Sequence, residues 1–301
     1  PCVAASASTF RNHEPPRTIM KLGISTWVWT SPATTEVLET LIPHIASLGY
    51  DVVELPVEST EQFYVQRVRT IAESSGIEVS VCAVISSGRD FLIPDEVDAG
   101  IAYLEWCIDA AQGLGSPVVA GPFYSAVGRC WTSTATERER DLDVVAEVLC
   151  GLGRYGEARG VSLAVETLNR FETSFLNTTE QALELVQRVD HPNVGLCLDL
   201  FHLGIEEKSL GRAVRAAGRH LKHVQVAEND RGTPGSGQLG WIEFAGALKE
   251  IGYDGRVVIE TFSDRVEAIA RAAAIWRPLA SDPDTLAREG LDFLQRLFAA
   301  P

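Results

Sequence analysis

Four polar residues close apolar runs at regular intervals along the chain: Glu166 after Val161–Val165, Asp199 after Val194–Leu198, Gln225 within Val224–Ala227, and Glu260 after Val257–Ile259. They are separated by 33, 26 and 35 residues, about one strand–helix unit each. Three carboxylates and one amide oxygen form a donor set for a hard or intermediate divalent cation such as Mn²⁺ or Mg²⁺, whereas zinc favours more His or Cys. Three clustered carboxylates without a cation repel one another. A single acid of this kind reads as a solvated strand end or a helix cap, so the weight lies on the four together. His202 follows Asp199 by three residues, Glu172 follows Glu166 by six, and Arg231 follows Gln225 by six. Together these three provide directional hydrogen bonds for a polyhydroxylated ligand. Trp27, Trp29, Phe123 and Trp131 are candidate walls of the pocket.

Something must gather residues that lie so far apart in sequence. Eight short apolar runs alternate with helical patterns: 22–29, 52–55, 77–84, 118–120, 161–166, 194–199, 221–227 and 256–260. Strands buried on both faces read as continuous apolar runs, and these do. Between them, helices are expected over 34–48, 61–75, 94–114, 136–156, 177–189, 205–217, 241–251 and 265–276, with an extra C-terminal helix over 285–298. Pro43 inside the first is a cost to that helix. Eight such cycles predict an α/β chain closed as a (β/α)8 TIM barrel. A doubly wound open sheet needs a glycine-rich phosphate fingerprint after an early strand, and none occurs. Barrel active sites lie at the carboxyl ends of the strands, where all four donors fall.

The 301 residues include 26 basic and 41 acidic ones, for a formal charge of −15. That balance excludes the basic face a nucleic-acid binder needs and disfavours docking on anionic lipid. No apolar run is long enough to span a bilayer. The six cysteines, Cys2, Cys82, Cys107, Cys130, Cys150 and Cys197, form no CxxC pair and read as free thiols of a reducing, cytoplasmic compartment. Residues 1–19 lack the apolar core of a signal peptide and read as a flexible N-terminal extension, with a single barrel domain over 20–301.

Five segments carry a family resemblance: Gly121–Ser125, Val165–Glu172, Leu198–His202, Glu228–Gly232 and Ile259–Phe262. With them the chain from Met20 resembles the sugar isomerase/epimerase superfamily of xylose isomerase-like barrels, and within it the D-tagatose, D-allulose and L-ribulose 3-epimerases. The resemblance implies that Glu166, Asp199 and Glu260 hold Mn²⁺, with Co²⁺ or Mg²⁺ as substitutes. It implies that Glu172, His202 and Arg231 bind ketose oxygens, and that Glu166 and Glu260 are the acid/base pair acting at C3. It also implies a homodimer or homotetramer. Gln225 departs from the pattern, because these epimerases place His there. Gln is instead similar to the hydroxypyruvate isomerases, and its carbonyl oxygen keeps a ligand role open. The competing readings are an aldose–ketose or hydroxypyruvate-type isomerase, a lyase acting on 3-oxo-glycosides, a zinc-dependent endonuclease barrel and a non-catalytic sugar-binding barrel.

Overall fold

Eight parallel strands close into a barrel in sequence order: β1 (Lys21–Ser25), β2 (Val52–Pro56), β3 (Glu78–Cys82), β4 (Val118–Gly121), β5 (Ser162–Glu166), β6 (Val194–Asp199), β7 (Leu221–Val226) and β8 (Arg256–Ile259). β8 pairs back onto β1, with Leu22 opposite Val257 and Ile24 opposite Ile259. The structure, a computed structural model, describes residues 20–262 and 264–299. The extension expected over residues 1–19, and Cys2 within it, lie outside the described residues. The other five cysteines are free thiols.

The surrounding helices are α1 (Thr35–Ser47), α2 (Val65–Ser75), α3 (Val97–Leu114), α4 (Ala135–Glu157), α5 (Thr179–Val189), α6 (Leu200–Glu206), α7 (Leu210–Ala217), α8 (Trp241–Glu250), α9 (Glu267–Ala272) and α10 (Pro283–Ala299). Local chemistry sets their ends. Thr134 with Glu137, and Thr178 with Gln181, make reciprocal capping boxes at the starts of α4 and α5. Left-handed Gly76 and Gly115 close α2 and α3. α1 runs through Pro43.

Three expectations shift. The first strand stops at Ser25, whose side chain caps a 3-10 turn over Thr26–Val28, so Trp27 belongs to the barrel rim. The helix expected over 205–217 is two helices: Asp199 caps α6 directly off β6 by accepting from Phe201 N (2.9 Å), and Ser209 starts α7 afresh. α9 is shorter than the 265–276 pattern.

The main core lies between strands and helices. Inside the barrel, small residues such as Val118, Ala120, Ala164 and Cys197 pack together. One turn of this interior is polar. Ser25, Glu54 and Ser80 stand side by side in register on β1, β2 and β3, all fully buried. A third apolar group, including Trp27, Cys82, Phe262 and Ile269, covers the carboxyl-end mouth.

The barrel wall is tight where β4 ends. Gly121 has a φ of +132°, and a Cβ there would lie 2.2 Å from the Ala83 carbonyl oxygen. Both the backbone angle and that fixed carbonyl exclude a side chain. We expect Gly121→Ala to lower the unfolding free energy by about 2–3 kcal/mol. Urea unfolding of the variant checks this, and an unchanged midpoint would show that the β3–β4 edge can spread.

Candidate metal and substrate site

Glu166 is the last residue of β5, Asp199 the last of β6, and Glu260 follows β8 directly. All three are buried, at 2%, 0% and 3% exposure, so none is the solvated strand end that a lone acid would be. Ligand atoms of Glu166, Asp199 and His202 lie within 4.8 Å of one another, as do those of Glu54, Cys82 and Glu260. Buried oxygen-rich clusters of this kind form a divalent-metal site.

The electrostatics show an excess of negative charge. Burial, then the neighbouring Glu260 and Asp199, hold the Glu166 carboxyl well above the usual carboxylate range. Burial also lifts Glu260, to about 8, against the opposing pull of Arg231. Asp199 is raised by burial as well, although Arg231 and the Phe201 N–H favour its ionised form. Arg231 is the local cation. Its Nη1 donates to Asp199 Oδ2 (2.6 Å) and Glu260 Oε2 (3.2 Å), and its guanidinium lies over the Phe201 ring. Burial acts against that charge, but Asp199 and Glu260 raise its pKa further. Arg231 adopts a left-handed φ of +64°, uncommon for a side chain of this size. Its carbonyl accepts from the Thr261 hydroxyl. Glu228, which sequence reading leaves without a role, anchors the same loop by accepting from Gly235 N, Leu239 N and Trp241 Nε1.

His202 is buried beside these groups. Burial, then Arg231, push its pKa well below the ordinary histidine value, so the ring is neutral. The Asn169 backbone N–H donates to Nδ1 at 3.0 Å. The Asn169 side-chain amide adds a second contact to Nδ1, and its orientation is fixed by donating to Glu172 Oε1 (2.8 Å) and accepting from Phe171 N. Nδ1 therefore accepts, and on the far side of the ring Nε2 faces the Arg231 Nη2 donor at 2.9 Å. Nε2 lies 3.5 Å from both Glu166 Oε1 and Asp199 Oδ2.

Beneath the carboxylates lies a layer that sequence reading missed. Glu54 Oε2 contacts His223 Nε2 at 2.7 Å and accepts from Ser80 Oγ at 3.0 Å, while Oε1 accepts from Gln225 Nε2 at 2.9 Å. Burial alone raises a carboxyl, but the His223 charge and these hydrogen bonds bring Glu54 below the usual range. Gln225 Nε2 also donates to Glu260 Oε1 (2.7 Å), and Gln225 Oε1 accepts from the Cys197 thiol (3.1 Å). The only sequence signal for Glu54 is an acid inside the apolar run Val52–Leu55.

These groups open into a cavity of about 300 Å³, large enough for a monosaccharide. Its polar floor is Glu166, Glu172, His202, Arg231 and Glu260, and its wall includes Trp27, Leu168 and Phe262. Of the expected aromatic walls, only Trp27 lines it. Phe123 is fully buried in the core, Trp131 stacks on Phe175, and Trp29 donates its indole N–H to Asp284. Aromatic type alone does not reveal which face of a loop a ring takes.

A closed (β/α)8 barrel with a divalent-metal site at its carboxyl end is the class that fold and site define. The sequence signature of the xylose isomerase-like TIM barrel family matches residues 42–297. The chain is 33% identical to a probable ketose 3-epimerase of Synechocystis sp. over 93% of its own length and 97% of that protein's. It is 32% identical to the D-psicose 3-epimerase of Ruminiclostridium cellulolyticum over 81% and 84%. The crystal structure of a Methylomonas D-allulose 3-epimerase in complex with D-allulose superposes with a TM-score of 0.87 at 27% identity, covering 93% of this chain and 97% of that one. The chain belongs to the xylose isomerase-like TIM barrel family and, within it, stands with the ketose 3-epimerases.

The raised carboxyls set a pH dependence. Glu260 titrates at about 8 in the folded chain against 4.5 ordinarily. The folded state binds that proton more tightly, so its contribution to stability is complete below the ordinary value and is lost as pH rises through the folded one. The metal-free protein should therefore lose thermal stability between about pH 5 and pH 8. A divalent cation takes the proton's place, so its stabilising increment should be larger at pH 8 than at pH 6. Melting curves with and without Mn²⁺ at both values check this; equal increments would mean that the carboxyls exchange no proton for the cation.

Proposed function

We propose that this protein is a metal-dependent ketose 3-epimerase acting on a free ketose of the D-allulose/D-fructose, D-tagatose or L-ribulose type. The observation that carries the reading is the pair Glu166 and Glu260. They are buried carboxyls from β5 and β8, strands well apart in the barrel, and both line one sugar-sized cavity. Inverting a carbon beside a carbonyl requires one group to remove a proton from one face and another to supply a proton on the opposite face.

Glu166, Asp199 and Glu260 fit a divalent cation, with Mn²⁺ the first choice and Co²⁺ or Mg²⁺ as substitutes. When bound, the cation supplies Lewis-acid polarisation of the substrate carbonyl. The chain's own residues do the rest. Glu260 takes the C3 proton, and Glu166, held toward its protonated form, returns one to the other face. The roles reverse for the other epimer. A general acid–base pair works best with pKa values near the operating pH, and burial moves both groups in that direction. His202 and Arg231 hold substrate oxygens from the same floor, Arg231 as a charged donor. Glu172, oriented by Asn169, accepts from a substrate hydroxyl. Trp27, Leu168 and Phe262 exclude water from the reacting centre. The reading includes a small-molecule substrate, a cytoplasmic setting and a homodimer or homotetramer. Among the described residues no helix is long and apolar enough to cross a membrane.

Incubating the Mn²⁺-loaded protein with D-fructose, D-tagatose and L-ribulose in D₂O should place deuterium at C3 and accumulate the C3 epimer, read by NMR. Exchange confined to C1 or C2 would replace epimerisation with aldose–ketose isomerisation. Glu166→Gln and Glu260→Gln should each reduce turnover by about 1000-fold; near-normal activity in either variant removes the acid/base assignment.

A further inference from the structure

The Gln225 amide has both of its donors and one acceptor site committed, and its orientation follows from that. One donor serves Glu54 and the other Glu260, while the oxygen faces the Cys197 thiol. Turning the amide over would set its oxygen against the carboxyl oxygens of Glu54 and Glu260, 2.9 and 2.7 Å from the present donor, whereas the Cys197 thiol can serve as donor or acceptor. A cation near Glu260 would relieve the repulsion there but leave the one at Glu54. Glu54 lies in the layer below, and Gln225 Nε2 is the donor to its Oε1. His223 and Ser80 meet the other oxygen.

We infer that Gln225 is a positioning residue for Glu260, held in its donating orientation by Glu54, and that its carbonyl oxygen does not ligate the metal. Glu260 is then fixed at both oxygens, by Gln225 at Oε1 and by Arg231 at Oε2. The protein ligands of the cation reduce to carboxylates. Glu54 does not line the cavity; it lies within 4.8 Å of Glu260, and its place on β2 sets an amide on β7 that in turn aims a carboxylate beside β8.

The inference rests on the epimerase reading for its kinetic effect, but not for its structural content. The decisive measurement is EPR of bound Mn²⁺ in water enriched with ¹⁷O, which counts metal-bound water molecules, on the wild-type protein and on Gln225→Leu. If Gln225 is a positioning residue, the count is unchanged. If its oxygen is a ligand, Gln225→Leu gains one water, and the inference is overturned. Kinetics on the D-ketose that the wild-type protein turns over supply the second arm. Gln225→Leu and Glu54→Gln should each lower kcat by about 10- to 100-fold with KM within about twofold. The double variant should be no slower than the slower single one, because both act along one chain of hydrogen bonds. Multiplicative losses would overturn the coupling. Should Glu54→Gln fail to fold, the water count of Gln225→Leu still decides whether the amide is a ligand. Should no ketose react, the water count stands while the epimerase reading falls.

Discussion

Four carboxylates are buried together at one end of this barrel, and the cost of keeping negative charge out of water governs the rest of the site. Desolvation of a carboxylate is costly unless hydrogen bonds, a counter-charge, a metal or a proton compensates it. The protein meets that cost differently at each acid. Glu54 has Ser80, His223 and Gln225 around it and is held ionised. Asp199 has Arg231 and the first turn of α6. Glu260 shares Arg231 and Gln225. Glu166 has the sparsest support and the strongest drive toward its neutral form. The gradient from the fully satisfied Glu54 runs outward to the undersatisfied Glu166, one of the two groups of the proposed acid–base pair.

That gradient also explains why the floor is built from strands and short connections. Asp199 closes β6 and caps α6 in one residue, which brings His202 onto the first turn of that helix. Asn169 then ties the ring of His202 to the orientation of Glu172. Arg231 sits on a loop, and that loop is pinned three times by Glu228 and once by Thr261. Its left-handed backbone is maintained by the contacts around it, as strained residues at functional sites are.

Much of this was legible in the sequence because the barrel repeats. Once Glu166, Asp199 and Glu260 are recognised as ends of successive apolar strands, closure of the sheet brings them together without further information. Glu54 was missed for the same reason: it lies within its strand, one layer below the ends. The orientation of Gln225 was illegible because an amide has a donor end and an acceptor end, and the choice between them rests on Glu54 and Cys197, residues 171 and 28 positions away. Phe123 and Trp131 carry no periodicity that would distinguish core from cavity. The break between α6 and α7 depends on two successive caps, Asp199 and Ser209, that a hydrophobic pattern running through 205–217 conceals.

The apolar side of the cavity has a different origin from its floor. Trp27 comes from the turn after β1, Phe262 from just past β8, and Ile269, Ala272 and Ala273 from α9 and its end. None of these donates to or accepts from a carboxylate of the floor. Polar floor and apolar wall are thus made of different side chains, which meet where the Arg231 guanidinium lies over the Phe262 ring. A lineage can remodel the wall around a new sugar while the acids, and the buried layer that aims them, stay as they are. This division allows one barrel to serve a succession of substrates without reinventing its reaction.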